Sequence, residues 1–220
     1  MIELKNISKS YTRANETTKI LENLSLTIAD GEFVALMGPS GSGKTTLLNI
    51  VSALDRPDSG EVTVYGEKLN LLSEKELNSW RASNISFIFQ FYNLIPVLSA
   101  IENVALPLSL FGIPPKERME RAKFALELVG LGERLHHKPS ELSGGQEQRV
   151  AIARAIVTDP KCIVADEPTG DLDRVSADSI LLLLRELNKS QKKTILMVTH
   201  DQSAADRADR VIKLDKGRLA

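Results

Sequence analysis

Apolar and polar positions along the chain fall into two different rhythms. Phe33 to Met37 reads as a short buried strand. Cys162 to Ala165, Thr194 to Val198 and Val211 to Leu214 are apolar runs bounded by polar or turn residues, the pattern of strands covered on both faces in a mainly parallel sheet. Glu61 to Tyr65 and Ile85 to Phe89 add two further short strands. Between Cys162 and Thr194, Val175 to Lys189 places Ala177, Ile180, Leu181, Leu184 and Leu187 on one helical face, which predicts a βαβ crossover. From Phe91 to Thr158 the rhythm changes to helical segments at Ile101 to Leu110, Pro115 to Val129 and Gly145 to Val157, with no convincing strand. Pro114-Pro115 supplies a helix start and Gly130 with Gly132 a stop, so Glu117 to Leu128 belongs to one amphipathic helix. The pattern predicts one α/β domain over residues 1–220, with a core of residues 1–90 and 159–220 and an inserted α-helical subdomain of residues 91–158.

Composition narrows the function classes without naming one. The 220 residues carry 28 Lys+Arg against 29 Asp+Glu, with no block of like charge, so no nucleic-acid footprint is expected. Val104 to Ile113, among the most apolar stretches, is far short of the roughly 20 residues of a membrane-spanning helix. The start, Met1-Ile2-Glu3-Leu4-Lys5, lacks the pattern of a secretory signal, so a cytoplasmic location is expected. Cys162, inside an apolar run, reads as a buried structural thiol. His136 and His137 have no partners at metal-ligand spacing and read as solvated surface.

The candidate chemistry begins where the first strand ends. Gly38-Pro39-Ser40-Gly41-Ser42-Gly43-Lys44-Thr45 fits the phosphate-binding pattern G-x-x-x-x-G-K-[ST] between a strand and a helix. Its glycines let backbone N–H groups converge on phosphate oxygens at the positive end of the helix dipole. Lys44 would meet the β- and γ-phosphates and the Thr45 hydroxyl would ligate Mg²⁺. Hydrolysis also needs an acidic metal partner and a base for water, and Asp166-Glu167 at a strand end supplies both. A second glycine-rich loop, Leu142-Ser143-Gly144-Gly145-Gln146, opens a second helix but has no phosphate of its own to bind, which points to nucleotide held by a second subunit.

These motifs, in this order and over essentially the whole chain, resemble the nucleotide-binding subunits of ATP-binding-cassette transporters. The resemblance implies a P-loop NTPase core with an N-terminal antiparallel β region, ATP and Mg²⁺ as cofactors, and ATP contacts from Gly38 through Thr46. By the same resemblance, Tyr11 matches the aromatic that stacks on adenine, and Gln90 the glutamine that joins the core to the helical subdomain and adds a metal contact beside Thr45 and Asp166. Leu142 to Gln146 matches the signature that faces the partner's nucleotide. Asp171 and Asp173 match the loop at the dimer interface, and His200 matches the switch histidine. His200 is expected to be mostly neutral and to contact the γ-phosphate, while Glu167 acts separately on water. Two departures stand out: Glu147 after the signature, and Thr169-Gly170-Asp171 in place of a Ser-Ala pattern.

The resemblance further implies a head-to-tail homodimer on ATP binding, at the cytoplasmic face of the inner membrane, with an integral permease subunit docked near Gln90 to Val104. Leu54 to Gly60, Phe89 to Pro96 and Ile101 to Leu108 are similar to the lipoprotein-releasing and macrolide-efflux branch. An importer ATPase, a soluble cassette ATPase and a small-molecule P-loop kinase remain as alternatives, and the cargo is unspecified.

Overall fold

The computed structural model describes residues 1–13 and 16–219, so positions 14–15 and 220 of the single-domain reading lie outside the described residues. Two sheets form the frame. In the first, β1 (Ile2–Arg13) pairs antiparallel with β2 (Glu16–Ile28) on one side and with β4 (Ser59–Val64) on the other, and β5 (Glu67–Lys68) completes the order β2-β1-β4-β5. In the second, β3 (Phe33–Met37), β6 (Ile85–Phe89), β7 (Cys162–Asp166), β8 (Thr194–Val198) and β9 (Arg210–Asp215) run parallel, and β10 (Arg218–Leu219) adds an antiparallel edge, in the order β10-β9-β3-β8-β7-β6.

Side chains alternate across a strand, and the apolar runs of the parallel sheet accordingly feed two separate cores. Val34, Leu36, Cys162, Val164, Leu196 and Val198 point into the core shared with the antiparallel sheet, together with Leu47, Leu48, Ile50 and Val51 of α1 (Lys44–Val51). Phe33, Ala35, Ile163, Ala165, Ile195 and Met197 point into the other core, which is closed by α3 (Ala100–Ala105), α4 (Pro115–Leu128), α5 (Gly144–Ile156), α6 (Arg174–Gln191) and α7 (Gln202–Ala205). In α6, Ile180, Leu181, Leu184 and Leu187 are buried as their spacing predicts. Cys162 is fully buried, and burial pushes its thiol up to about 12, which keeps it un-ionised.

Two local readings need correction. The helix expected over Ile101 to Leu110 divides into α3 and a 3₁₀ stretch at Leu106–Phe111, because Pro107 has no N–H to continue the α-helical ladder. An additional helix, α2 (Glu74–Asn84), stands before β6; only Leu77 of it is buried, so it shows no apolar stripe. Its start was nonetheless written in the sequence, since Ser73 and Glu76 form a capping box. Among the described residues, no helix is long and apolar enough to cross a membrane.

Candidate functional site

β3, β7 and β8 end at the same edge of the parallel sheet, and the segments that follow them meet there. A cavity of about 450 Å³ is lined by Gly38, Ser40, Gly41 and Gly43 to Thr46 of the loop and helix start, by Asp166 and Glu167 at the end of β7, by Val198 and His200 at the end of β8, and by Ile20 from β2. The loop between β3 and α1 is tightly fitted. A Cβ on Gly38 would sit 2.1 Å from the carbonyl oxygen of Leu214, a backbone atom that cannot swing away. Gly43, at φ +102°, starts α1 with no side-chain cap and no acidic residue in the first turn, so the first N–H groups of this helix are left for another acceptor. Lys44 folds back and donates to the carbonyls of Gly38 (2.8 Å) and Pro39 (2.9 Å). The buried Ser42 hydroxyl has no hydrogen-bond partner among the described residues.

Opposite the loop, Asp166 ends β7 half-buried. Its carboxyl is held above the usual carboxylate range, first by burial and then by the charge of Glu167, against the opposing pull of Lys44. Glu167 adopts φ +49°, uncommon for a residue with a side chain. The turn is pinned on both sides: Glu167 N–H donates to the Val198 carbonyl (3.0 Å), and its own carbonyl accepts from Gly170 N–H (3.0 Å). Glu167 and His200, assigned to water and to the γ-phosphate respectively in the sequence reading, are in direct contact. His200 Nδ1 lies 2.7 Å from Glu167 Oε2, and that hydrogen bond, with the carboxylate charge, raises the imidazole above its ordinary value of 6.5.

Tyr11 and Gln90 stand outside the cavity lining. The Tyr11 hydroxyl donates to Asp55 Oδ2 (2.6 Å), and Lys9 Nζ lies 5.1 Å from the ring centroid while donating to Asp55 Oδ1 (2.8 Å). Gln90 Nε2 is 3.4 Å from Asp171 Oδ1. Gly170 lies against the Gln90 side chain, where a Cβ would sit 2.9 Å from Nε2 and displace the amide. Asp173 caps α6 by accepting from Val175 and Ser176 N–H (3.0 and 3.1 Å).

None of Leu142 to Gln146 lines the cavity of its own chain. Ser143 caps α5 and forms a reciprocal box with Gln146, whose Oε1 accepts from Ser143 N–H (2.9 Å). A Cβ on Gly144 would lie 2.8 Å from the Tyr92 hydroxyl, and one on Gly145 3.0 Å from Ser176 Oγ. The motif reading passed over two residues here. Ile20 comes from a strand with no local signal of its role. Gln148, which is fully buried, carried one visible signal, a polar residue among the buried positions of a helix.

Known proteins are similar to this chain over its whole length. The sequence profile of the ABC transporter family matches residues 21–170. The lipoprotein-releasing system ATP-binding protein LolD of Pseudomonas syringae pv. tomato is 46% identical over 219 residues, covering 100% of this chain and 96% of that protein. The macrolide export ATP-binding/permease protein MacB of Hyphomonas neptunium is 48% identical over 219 residues, covering 100% of this chain but 34% of that longer protein. Among solved structures, the ATP-binding cassette MJ0796 of Methanocaldococcus jannaschii, dimeric in a post-hydrolysis state with ADP and Pi, superposes with a TM-score of 0.90 at 46% identity, covering 100% of this chain and 96% of that one. With the phosphate-loop edge, the helical insert and full-length similarity in agreement, the chain belongs to the ABC transporter family as an ATP-binding subunit.

Proposed function

We propose that the cavity at the β3–β7–β8 edge binds ATP with Mg²⁺ and hydrolyses it, and that two copies close head-to-tail around two ATP to drive a separate membrane permease. The observation that carries this reading is the convergence of Lys44, Thr45, Asp166, Glu167 and His200 on one cavity at the open N-terminus of α1. Lys44 exchanges its two carbonyl acceptors for the β- and γ-phosphates, and the uncapped N–H groups of α1 take phosphate oxygens. The hydroxyl of Thr45 and the carboxyl of Asp166 are hard oxygen donors suited to Mg²⁺, which otherwise completes its shell with water and phosphate oxygens. When bound, the ion neutralises phosphate charge. Gln90 would join them only after its amide leaves Asp171.

Glu167 accepts the proton of the attacking water. To do so it must be released by His200, which turns its imidazole to the γ-phosphate. Tyr11, held by Asp55, offers an exposed ring for the adenine face. In the dimer, Ser143 and the amides of Gly144 and Gly145 reach the γ-phosphate bound by the other copy, and Asp171 lies at the shared boundary.

The permease surface lies near Gln90 to Val104. Phe91 and Val97 there are 71% and 75% exposed, and a neighbouring cleft is lined by Phe87, Phe89, Leu110 and Phe111. Such exposed apolar surface suits a helix of a membrane partner, and in this reading the chain sits peripherally at the cytoplasmic face. The similarity to LolD and MacB favours a permease of the lipoprotein-releasing or macrolide-efflux type.

The test is Mg-dependent phosphate release by Lys44→Ala and Glu167→Gln, with dimerisation followed by sedimentation. Lys44→Ala is expected to lose activity. Glu167→Gln is expected to hydrolyse about 10²–10⁴-fold more slowly yet dimerise with saturating ATP. Normal turnover by Lys44→Ala, or a monomeric Glu167→Gln, would overturn the reading.

A further inference from the structure

Gln148 is a polar side chain with no access to solvent, placed in the first half of the helix that carries the signature loop. Its amide nitrogen donates to two carbonyls from different parts of the chain: Pro168, immediately after Glu167, at 2.5 Å, and Phe89, immediately before Gln90, at 3.3 Å. The two carbonyls follow neighbouring strands, since Phe89 of β6 is in register with Asp166 of β7. An amide –NH₂ has two hydrogens, and here one group uses both to fasten the ends of two strands to one helix. Pro168 has no N–H, so its carbonyl is the one backbone hydrogen-bonding group it offers.

The acceptor half of the same side chain is left over. Gln148 Oε1 is buried without a hydrogen-bond partner among the described residues. A methionine of similar length would fill the space without burying an unpaired oxygen, so packing alone gives no reason for an amide at this position. The donor half is what the position uses. Arg154, later in α5, adds donations to the carbonyls of Tyr92 (2.7 Å) and Asn93 (2.6 Å). The helix therefore grips the Gln90 segment at three carbonyls, and reaches the Glu167 loop through Gln148.

We propose that Gln148 is a positioning residue for hydrolysis, which holds the Glu167–Pro168 loop in fixed relation to Gln90 and to the signature helix. The inference rests on Glu167 being the base of the proposed reaction. Movement of α5 with the helical layer carries the Pro168 carbonyl with it and so moves the Glu167 carboxylate relative to the phosphate. Misplacement of a reacting group by about 1 Å can lower a rate about 100-fold without altering ground-state binding.

The experiment compares Gln148→Met and Gln148→Glu with the parent for kcat, KM for ATP, nucleotide affinity and melting temperature. Both variants are expected to lower kcat by about 10- to 100-fold while nucleotide affinity stays within about twofold. Gln148→Glu adds a readout that a purely structural role would not move. An ionised carboxylate repels the two carbonyls, whereas the protonated acid restores one donor, so its kcat relative to the parent should rise as pH is lowered. In a Glu167→Gln background there is no base left to position, and Gln148→Met should then produce no further loss of residual turnover. A lowered melting temperature with unchanged kcat would overturn the proposal, and so would a full multiplicative loss in the double variant. If Glu167→Gln alone hydrolysed like the parent, the underlying assignment of the base would fail instead, which keeps the two failures apart.

Discussion

Two glycine-rich loops in this molecule each open a helix, and they are built on opposite principles. The loop before α1 leaves the helix end open: Gly43 gives no side-chain cap, the first turn holds no acid, and the buried Ser42 hydroxyl lacks a partner among the described residues. The loop before α5 is closed upon itself by the Ser143–Gln146 box. Their glycines differ as well. Gly38 and Gly43 meet the backbone carbonyls of Leu214 and Ile20, whereas Gly144 and Gly145 meet the side-chain ends of Tyr92 and Ser176. An open end is ready for an anion within its own chain. A self-capped end at the surface is stable while alone and offers its serine to something arriving from outside.

The strongest way to break this comparison is to give each loop a methyl group. Gly38→Ala forces a Cβ against a fixed carbonyl oxygen and should abolish nucleotide binding, with a destabilisation of about 1–3 kcal/mol from overpacking. Gly144→Ala should bind nucleotide normally and lose at most part of its activity, and Tyr92→Phe, by removing the obstructing hydroxyl, should restore it. Equilibrium binding of a fluorescent ATP analogue and thermal melts of the three proteins decide the matter; equal damage at both glycines would show that the loops are not different in kind.

A smaller effect is expected from Ser143→Ala. Loss of an N-cap costs about 1 kcal/mol, so the melting temperature should fall by a few degrees while the isolated chain binds ATP as before. Dimerisation with ATP should weaken far more than this cost accounts for. If dimerisation and melting temperature declined only in proportion, the serine would be a cap and nothing else.

The smallest effect is electrostatic. His200 binds its proton more tightly in the folded chain because Glu167 accepts its hydrogen bond. The stabilisation is therefore fully present below the free-imidazole value of about 6.5, and is lost as pH rises through the elevated folded value. Three-quarters exposure of the His200 side chain keeps it modest. An NMR titration of the ring should show the His200 midpoint falling toward about 6.5 in Glu167→Gln. A midpoint that did not move would remove the pair as the cause.

The parallel sheet was legible in the sequence because burial on both faces writes strands as continuous apolar runs, and the strand ends Met37, Asp166 and Val198 fall where those runs stop. Of the N-terminal sheet, β4 was legible as the run from Glu61, whereas β1 and β2 were not. β1 and β2 slip register between Leu4 and Ile7, between Ile7 and Lys9 and between Lys9 and Ser10, and each slip resets the two-residue alternation on which a strand reading depends. Within the site, residues adjacent in sequence to a motif were found, whereas Ile20 and Gln148 were not, because their roles come from what folding sets beside them. The His200–Glu167 contact was missed for the same reason, since it joins groups on different strands.

The division of the parallel sheet between two cores has a mechanical meaning. The apolar side chains of β3, β7 and β8 each belong to one compartment or the other, and the buried residues of α1 lie in the first while those of the helical insert lie in the second. The sheet acts as a bulkhead. A swing of the insert loosens contacts on one side of it and leaves the seat of the phosphate loop undisturbed on the other. In hydrogen exchange, the amides of α1 beyond its open first turn should accordingly stay as slow as those of β3 and β8 even while the helical layer opens and closes.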